Sequence, residues 1–87
     1  MKSRINKLEY SLKISVLGNK FYFKNNETHR DKDLPAEIWE NGTRVWFKNG
    51  KSHRDNGKPS EIYPNGRMYW YENGTFIKNN LNEIENK

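Results

Sequence analysis

Apolar and polar residues alternate near the start of the chain. Over residues 8–16 every second side chain is apolar: Leu8, Tyr10, Leu12, Ile14 and Val16. A period of two places such a set on one face of a β-strand. The pattern therefore predicts a strand over about residues 8–17, and we expect it to cap a sheet formed by the rest of the chain.

The sequence that follows repeats itself without gaps, with a period of about 24 residues, which indicates stacked structural units. Three glycines and three large aromatic residues come into register: Gly18, Gly42, Gly66, Tyr22, Trp46 and Trp70. The repetition predicts a single β-repeat domain over residues 1–79, with units at 18–41, 42–65 and 66–79, followed by a polar tail over residues 80–87.

Asn-Gly pairs punctuate these units and are flanked by aromatic and β-branched residues, which is typical of type I′ hairpin turns. The predicted hairpin tips are Asn41-Gly42, Asn49-Gly50, Asn65-Gly66 and Asn73-Gly74. The predicted strands between them are Glu37–Glu40, Thr43–Lys48, Lys51–Arg54, Glu61–Tyr63, Arg67–Glu72 and Thr75–Lys78. The expected fold is all-β, an antiparallel meander or small solenoid-like sheet of repeated β-hairpins with an N-terminal capping strand.

Alternation within the strands divides the aromatic residues between two faces. One set is expected to form a buried layer: Phe21, Phe23, Val45, Phe47, Tyr69 and Tyr71. The other face would then expose aromatic rings bracketed by basic residues, a plausible partner-binding surface. Its predicted members are Tyr22, Lys24, Arg44, Trp46, Lys48, Lys51, Arg54, Arg67 and Trp70. Alternatively, the sheet curls so that both faces are covered, and Lys and Arg stems pack over buried tryptophans.

Composition narrows the class of protein. Hydrophobic residues make up 32% of the 87 residues and charged residues 31%, so three Trp, five Tyr and four Phe must supply much of the core. The absence of cysteine excludes disulfides and thiolate metal sites, and no apolar run is long enough to span a bilayer. We expect a cytosolic protein that makes no membrane contact. The net charge of +5 argues against an acidic DNA mimic.

The triplet His-Arg-Asp occurs twice, at residues 29–31 and 53–55. A kinase-like catalytic loop needs further residues and a much longer chain, so a structural role is favoured. In that role each Asp bonds backbone amides of the next turn, and each Arg pairs with a carboxylate of a neighbouring strand. Two histidines one unit apart do not converge on a metal ion. The sequence therefore predicts no enzyme activity, no metal site and no cofactor.

The segments Trp46–Asp55 (WFKNGKSHRD) and Leu34–Ile38 (LPAEI) resemble tandem hairpin repeats of phage and giant-virus proteins, which are loosely similar to MORN-type repeats. This resemblance implies a viral or mobile-element setting and a binding role. The leading hypothesis is an accessory protein that binds and inhibits a host nucleic-acid-handling defence protein, in the manner of an anti-CRISPR. The partner would be a host protein, for example a nucleic-acid-bound effector complex. The alternative is direct RNA or DNA binding through the basic aromatic face, and either form is expected to be a monomer or weak homo-oligomer.

Overall fold

The computed structural model describes residues 9–81, and these residues form antiparallel β-structure, which confirms the predicted all-β class. The strands are β1 (Tyr10–Ile14), β2 (Lys20–Lys24), β3 (Glu27–Thr28), β4 (Glu37–Ile38), β5 (Arg44–Val45), β6 (Phe47–Lys48), β7 (Lys51–Ser52), β8 (Glu61–Ile62), β9 (Met68–Glu72) and β10 (Thr75–Asn79). Leu8 of the predicted first strand lies outside the described residues, and so do residues 82–87 of the predicted tail.

The main sheet follows the chain as a meander. Its strand order is β1-β2-β4-β5-β8-β9-β10, β3 pairs with β2, and β6 and β7 form a separate two-stranded ribbon. All pairings are antiparallel. The β2–β3 and β6–β7 hairpins therefore branch from the side of the meander.

The strand predicted over Thr43–Lys48 is divided into β5 and β6 at Trp46. The Trp46 N–H donates to the Ser60 carbonyl at 2.8 Å, whereas the Trp46 carbonyl accepts the His53 N–H at 3.1 Å. The strand thus changes partners at this residue, from the main sheet to the ribbon. A change of partner cannot be read from a period-two pattern, because the pattern continues through it.

Hairpin tips of the predicted type I′ occur at Asn49-Gly50 and Asn73-Gly74. Asn49 and Gly50 have φ values of 50° and 83°, and Asn73 and Gly74 have 49° and 83°. Positive φ at both central positions is the requirement of this turn. The same turn also forms at residues 25–26, where two asparagines replace the Asn-Gly pair, with φ values of 50° and 68°.

The predicted type I′ turn at Asn41-Gly42 is wrong. Gly42 has a φ of 98°, but Asn41 is not among the residues with positive φ. The Trp39 carbonyl accepts the Gly42 N–H at 2.9 Å, and the Trp39 N–H donates to the Thr43 carbonyl at 2.8 Å, which closes a three-residue loop with its glycine in the left-handed region. The Asn41 side chain accepts the Thr43 N–H at 2.9 Å and so stabilises this alternative.

The predicted type I′ turn at Asn65-Gly66 is wrong for the same reason. The loop over residues 63–67 has equivalent bonds, and only Gly66 of its Asn65-Gly66 pair has a positive φ, of 91°. A third loop of this kind spans residues 15–19, with Gly18 at 94°. Two turn types therefore alternate along the chain, and Asn-Gly pairs serve both.

The first strand is part of the repeated pattern as well as its end. Ile14 of β1, Ile38 of β4 and Ile62 of β8 occupy the same position in successive repeats, and the same loop type follows each strand. The predicted cap is therefore a strand of the same kind as β4 and β8. Its observed span, Tyr10–Ile14, is shorter than the predicted 8–17.

At the other end, β10 stops at Asn79, and Asn80, the first residue of the predicted tail, is bonded to the sheet. Asn80 is only 7% exposed. Its N–H donates to Met68 O at 3.2 Å, its Oδ1 accepts the Met68 N–H at 2.8 Å, and its Nδ2 donates to Gly66 O at 3.1 Å. Asn80 thus fastens the end of β10 to the start of β9.

The buried interior is small and largely polar. The buried apolar residues among those described are Ala36, Val45 and Trp46, and the buried polar ones are Asn19, His29, Thr43, Ser60 and Asn80. The polar groups are hydrogen-bonded: Asn19, for example, accepts the Glu40 N–H at 2.7 Å, and Ser60 accepts the Tyr71 N–H at 3.0 Å. Because an unpaired buried polar group is costly, the stability of this sheet depends on these bonds as well as on apolar burial.

Candidate binding surface

The register of the sheet assigns side chains to its two faces, because directly opposed residues share a face. One row of opposed residues crosses the sheet on the first face: Lys13, Phe21, Glu37, Val45, Glu61 and Tyr69. A second row crosses on the other face: Ile14, Lys20, Ile38, Arg44, Ile62 and Met68. We call the first the aromatic face and the second, which carries Tyr22, Trp46 and Trp70, the loop-covered face.

Trp46 lies beneath a loop on the loop-covered face. The side chain is 5% exposed, and its Nε1 donates to the Asp33 carbonyl at 3.1 Å. The guanidinium of Arg54 lies 3.8 Å from the Trp46 ring centroid, within the range of a cation–π contact. The Trp46 ring is therefore enclosed by the sheet, the loop that contains Asp33 and the guanidinium of Arg54, and a partner cannot reach it.

The neighbouring rings of this face are covered in the same way. Arg30 lies 3.7 Å from the Tyr22 centroid, and Lys78 lies 4.8 Å from the Trp70 centroid. Trp70 also donates its Nε1 to the Gly57 carbonyl at 3.0 Å. The expected open platform of stacked aromatic rings is thus wrong, and the alternative, with Arg and Lys packed over the rings, describes this face.

The histidines of the two His-Arg-Asp triplets hold the covering loops to the hairpin tips. His29 Nδ1 accepts the Asn49 N–H at 2.9 Å, while Nε2 lies 2.7 Å from Asp31 Oδ1. Because a backbone N–H can only donate, Nδ1 carries no proton and Nε2–H is the donor to Asp31. His53 has the equivalent bonds, at 3.1 Å to Asn73 and 2.7 Å to Asp55.

The aspartates of the triplets bond to side chains rather than to the expected backbone amides. Asp31 accepts from His29 and from the Tyr10 hydroxyl at 2.9 Å, and these two hydrogen bonds lower the pKa of its carboxyl. The pKa of Asp55 is lowered by its bonds to His53 and Lys48. Both nitrogens of each imidazole are engaged, so the triplets perform a structural task and lack a free general base.

The Arg-carboxylate pairing expected of the triplets is confirmed for Arg54. Its Nε and Nη2 donate to the two carboxylate oxygens of Asp33 at 2.8 and 3.2 Å, and Lys58 adds a third bond at 3.0 Å. Hydrogen bonds from Arg54 and then Lys58 lower the pKa of Asp33 to about 2. Asp33 belongs to the loop after the first triplet, not to a neighbouring strand.

The remaining predicted binding residues do not form one surface. Lys48 pairs with Asp55 at 3.2 Å, and the exposed Arg44 lies 5.9 Å from the Trp46 centroid. Lys24 is half-buried and Lys51 is exposed. Arg67 is half-buried and lines a cavity beside Tyr69, on the aromatic face. The structure therefore distributes the nine residues over both sides of the sheet.

The aromatic face is not buried, contrary to expectation. Of the six residues predicted to be buried, only Val45 is, at 6% exposure, and the other five are half-buried. Its rings pack edge to face: Phe21 with Trp39 at 5.4 Å, and Tyr63 with Tyr69 at 5.7 Å. Trp39 itself is 39% exposed.

On this face Glu37 and Glu61 each accept a hydrogen bond from the aromatic residue two positions later in the chain. Trp39 Nε1 donates to Glu37 Oε1 at 3.2 Å, and the Tyr63 hydroxyl donates to Glu61 Oε1 at 2.8 Å. Burial, followed by the Glu61 hydrogen bond, raises the pKa of Tyr63 to about 12. The hydroxyl of Tyr63 therefore stays protonated and donates to Glu61.

An open cavity of about 670 Å³ lies at this face, bordered by Tyr63, Tyr69 and Tyr71. Aromatic walls with fixed carboxylate and hydroxyl groups can bury apolar groups of a partner and orient its donors. Within residues 9–81, no group of three or more His, Asp or Glu residues is arranged to hold a metal ion.

Sequence reasoning did not assign Trp39 and Tyr63 to the binding surface. The two residues occupy the same position in successive repeats; both follow an isoleucine of a short strand, and both have a glutamate two positions before them. That recurrence was a usable signal. Their placement on the aromatic face depends on the three-residue loop that begins at each of them, which the sequence did not identify.

The comparisons with known proteins yielded no relative: no family model, no curated protein and no solved structure matches the chain. A search of residues 9–81 for helices that could cross a membrane found none of sufficient length and hydrophobicity. The function is therefore argued from the surface itself.

Proposed function

We propose that the protein is a non-enzymatic binding module that contacts a protein partner through its aromatic face. The observation that carries this proposal is the accessibility of that face, with Trp39 39% exposed and Phe21, Tyr63, Tyr69 and Tyr71 half-buried. Trp and Tyr dominate the energetic hot spots of protein interfaces. Each can bury a large area while losing the freedom of only two side-chain torsions.

Preorganisation of the rings favours tight binding. Edge-to-face packing fixes Phe21 against Trp39 and Tyr63 against Tyr69, and a hydrogen bond to Glu37 fixes the indole of Trp39 further. Side chains that are already ordered lose less conformational entropy when a partner binds. Glu37 and Glu61 add acceptors for basic or amide groups of the partner.

The more specific form of the proposal concerns the setting. The resemblance of the repeats to those of phage and giant-virus proteins supports an accessory protein of a virus or mobile element acting in the host cytosol. Its partner would be a host defence protein that handles nucleic acid, which the module inhibits by occupying a functional surface. The small size of the chain and the structural use of both His-Arg-Asp triplets are compatible with inhibition by occupancy.

Direct nucleic-acid binding has less support from the contacts. Stacking of bases requires open ring faces, and those of Tyr22, Trp46 and Trp70 are covered by cationic groups. Two of the basic side chains assigned to this role, Arg54 and Lys48, are paired with aspartates. This alternative is retained as an outcome of the experiment below.

The test is affinity capture with tagged protein from host lysate, with and without nuclease, followed by binding measurements on the purified captured partner. One stoichiometric protein retained after nuclease is expected. Trp39→Ala and Tyr71→Ala should each weaken its binding about tenfold or more, equivalent to about 1.4 kcal/mol. Arg44→Ala is the matched control, because Arg44 is exposed on the opposite face.

A thermal melt of each variant checks that the sheet is intact. Binding that is weakened by Arg44→Ala and unaffected by both aromatic variants would place the interface on the other face and contradict the proposal. Capture of nucleic acid alone, with affinity falling steeply as salt rises, would establish the alternative instead.

A further inference from the structure

The outer edge of β1 lacks a strand partner among residues 9–81. β1 is the first strand in the order of the main sheet and pairs only with β2. Its burial pattern is exposed throughout, and its apolar side chains Tyr10, Leu12 and Ile14 are 57%, 45% and 59% exposed. Regular edge strands with exposed apolar residues are templates for pairing with another chain.

The corresponding strands of the same sheet are paired on both sides. Ile38 of β4 lies opposite Lys20 of β2 and Arg44 of β5, and Ile62 of β8 lies between strands in the same manner. Ile14 lies 24 residues before Ile38 in the chain, and within residues 9–81 only Lys20 is opposite it. The strands that correspond to β1, which are β4 and β8, therefore each pair with a neighbouring strand on both sides.

The hydrogen-bond pattern shows which groups point to the free edge. Ser15 donates to Asn19 O, and Glu9 accepts the Asn25 N–H, so odd-numbered residues of this segment bond across to β2. Because alternate residues of an antiparallel strand face opposite neighbours, the N–H and C=O groups of Tyr10, Leu12 and Ile14 point outward. These three residues are arranged symmetrically about Leu12.

We propose that two copies of the chain associate by antiparallel pairing of their β1 edges, with a two-fold axis at Leu12. In this register Leu12 meets Leu12 of the second copy, and Tyr10 meets its Ile14, each pair exchanging two main-chain bonds. The two meanders then become one continuous sheet. A two-fold pairing of identical patches is the commonest symmetry among homo-oligomers.

The side chains fit this register. The Tyr10–Ile14 pair combines an aromatic and a β-branched residue, a favourable cross-strand combination. On the other face Ser11 meets Lys13 of the second copy, so no like charges oppose each other directly. Tyr10 is already fixed by its bond to Asp31 at 2.9 Å.

The opposite edge of the sheet is a poorer acceptor. β10 shows a register shift between Phe76 and Lys78 in its pairing with β9, which marks a bulge. Bulges disturb the regular row of donors and acceptors and protect edges from further pairing. This asymmetry favours β1 pairing with β1 over head-to-tail growth from β1 to β10.

Sedimentation equilibrium of the full chain over a range of concentrations tests the proposal and requires no partner. A concentration-dependent mass rising to twice 10.5 kDa is expected. Leu12→Lys and Leu12→Glu should each abolish the dimer, since identical charges would meet at the axis. Mixing the two variants should restore it, because opposite charges then meet. Ile77→Lys, at the exposed far edge, is the matched control and should leave the dimer intact.

A wild-type monomer at all concentrations would overturn the proposal. Masses beyond the dimer that Ile77→Lys abolishes would show head-to-tail growth and also overturn it. Because Leu12 lies outside the aromatic face, failure here leaves the proposed protein-binding function unaffected, and failure of partner capture leaves the dimer standing.

Discussion

His29 shows how much one side chain contributes to a small sheet. It is 3% exposed and links the backbone of one hairpin tip, at Asn49, to the carboxylate of Asp31 in the covering loop. His53 has the same bonds in the next unit but is more accessible, at 13% of its side chain. The two histidines therefore allow the same set of hydrogen bonds to be compared in a buried and in a more exposed side chain.

We expect His29→Ala to lower the free energy of unfolding by about 1–3 kcal/mol, because the Asn49 N–H and the Asp31 carboxylate lose a buried partner. The loss for His53→Ala should be smaller. Urea unfolding of both variants measures the difference, and ¹⁵N chemical shifts of the wild-type imidazoles should show the Nε2–H tautomer. An equal loss in both variants, or a protonated Nδ1 at neutral pH, would contradict this account.

Asp33 makes the molecule sensitive to acid. Its pKa in the folded protein, about 2, is below the ordinary value of 3.8, so folding favours the ionised form. The resulting stabilisation is present above the ordinary value and is lost as the pH falls from about 4 towards 2. We expect the unfolding free energy of the wild type to fall in this window, with a smaller decline in Asp33→Asn.

The measurement is urea unfolding at pH steps between 4 and 2, and the slope is the informative quantity. Asp31 and Asp55 have lowered pKa values too, so a residual slope is expected in Asp33→Asn. Asp33 has a φ of 57°, a conformation that Asn also tolerates, so the substitution tests the charge with little change of the backbone. Identical slopes would show that the Arg54 and Lys58 contacts to Asp33 are unimportant.

At the scale of elements, the sequence identified where the chain turns but not which turn it makes. The four Asn-Gly pairs predicted as hairpin tips are identical as dipeptides, yet Asn49 adopts a positive φ and Asn41 does not. The difference arises outside the dipeptide. Asn49 donates its N–H to His29, whereas the Asn41 side chain accepts the Thr43 N–H.

This difference predicts unequal effects of the same substitution. Asn49→Gly should change the unfolding free energy by no more than about 0.5 kcal/mol, because glycine readily adopts positive φ and only the backbone of Asn49 is bonded. Asn41→Gly should cost about 1 kcal/mol or more, because it removes the side-chain acceptor and adds backbone freedom. Thermal or urea unfolding compares them, and Asn65→Gly should behave as Asn41→Gly does. The reverse order would show that the turn types are misassigned.

For the whole molecule, the decisive feature is which face of the sheet the chain covers with its own loops. The loop after the first His-Arg-Asp triplet lies over Trp46, the loop after the second bonds to Trp70, and the rings of the aromatic face remain half exposed. Sequence alternation placed Phe21 and Tyr69 on the face opposite Tyr22 and Trp70. It did not show that Trp46, expected on an open face, is buried.

Single-tryptophan proteins test this assignment directly. With Trp39→Phe and Trp70→Phe, the remaining Trp46 should be quenched several-fold less by acrylamide than Trp39 in the protein that carries Trp46→Phe and Trp70→Phe. The reason is exposure, 5% for Trp46 against 39% for Trp39. Near-ultraviolet circular dichroism checks that each protein is folded, and equal quenching of the two would contradict the covered face.

The sequence alone determined the all-β class, the alternation of side chains and the positions of the hairpin tips, because these depend on local backbone preferences and a period of two. Only the tertiary structure decided the turn types, the partner change at Trp46 and the covered face. Those depend on contacts between residues far apart in the chain, such as His29 with Asn49 and Arg54 with Asp33. Alternation makes two faces distinguishable, but a loop 13 residues away from Trp46 determines which one meets solvent.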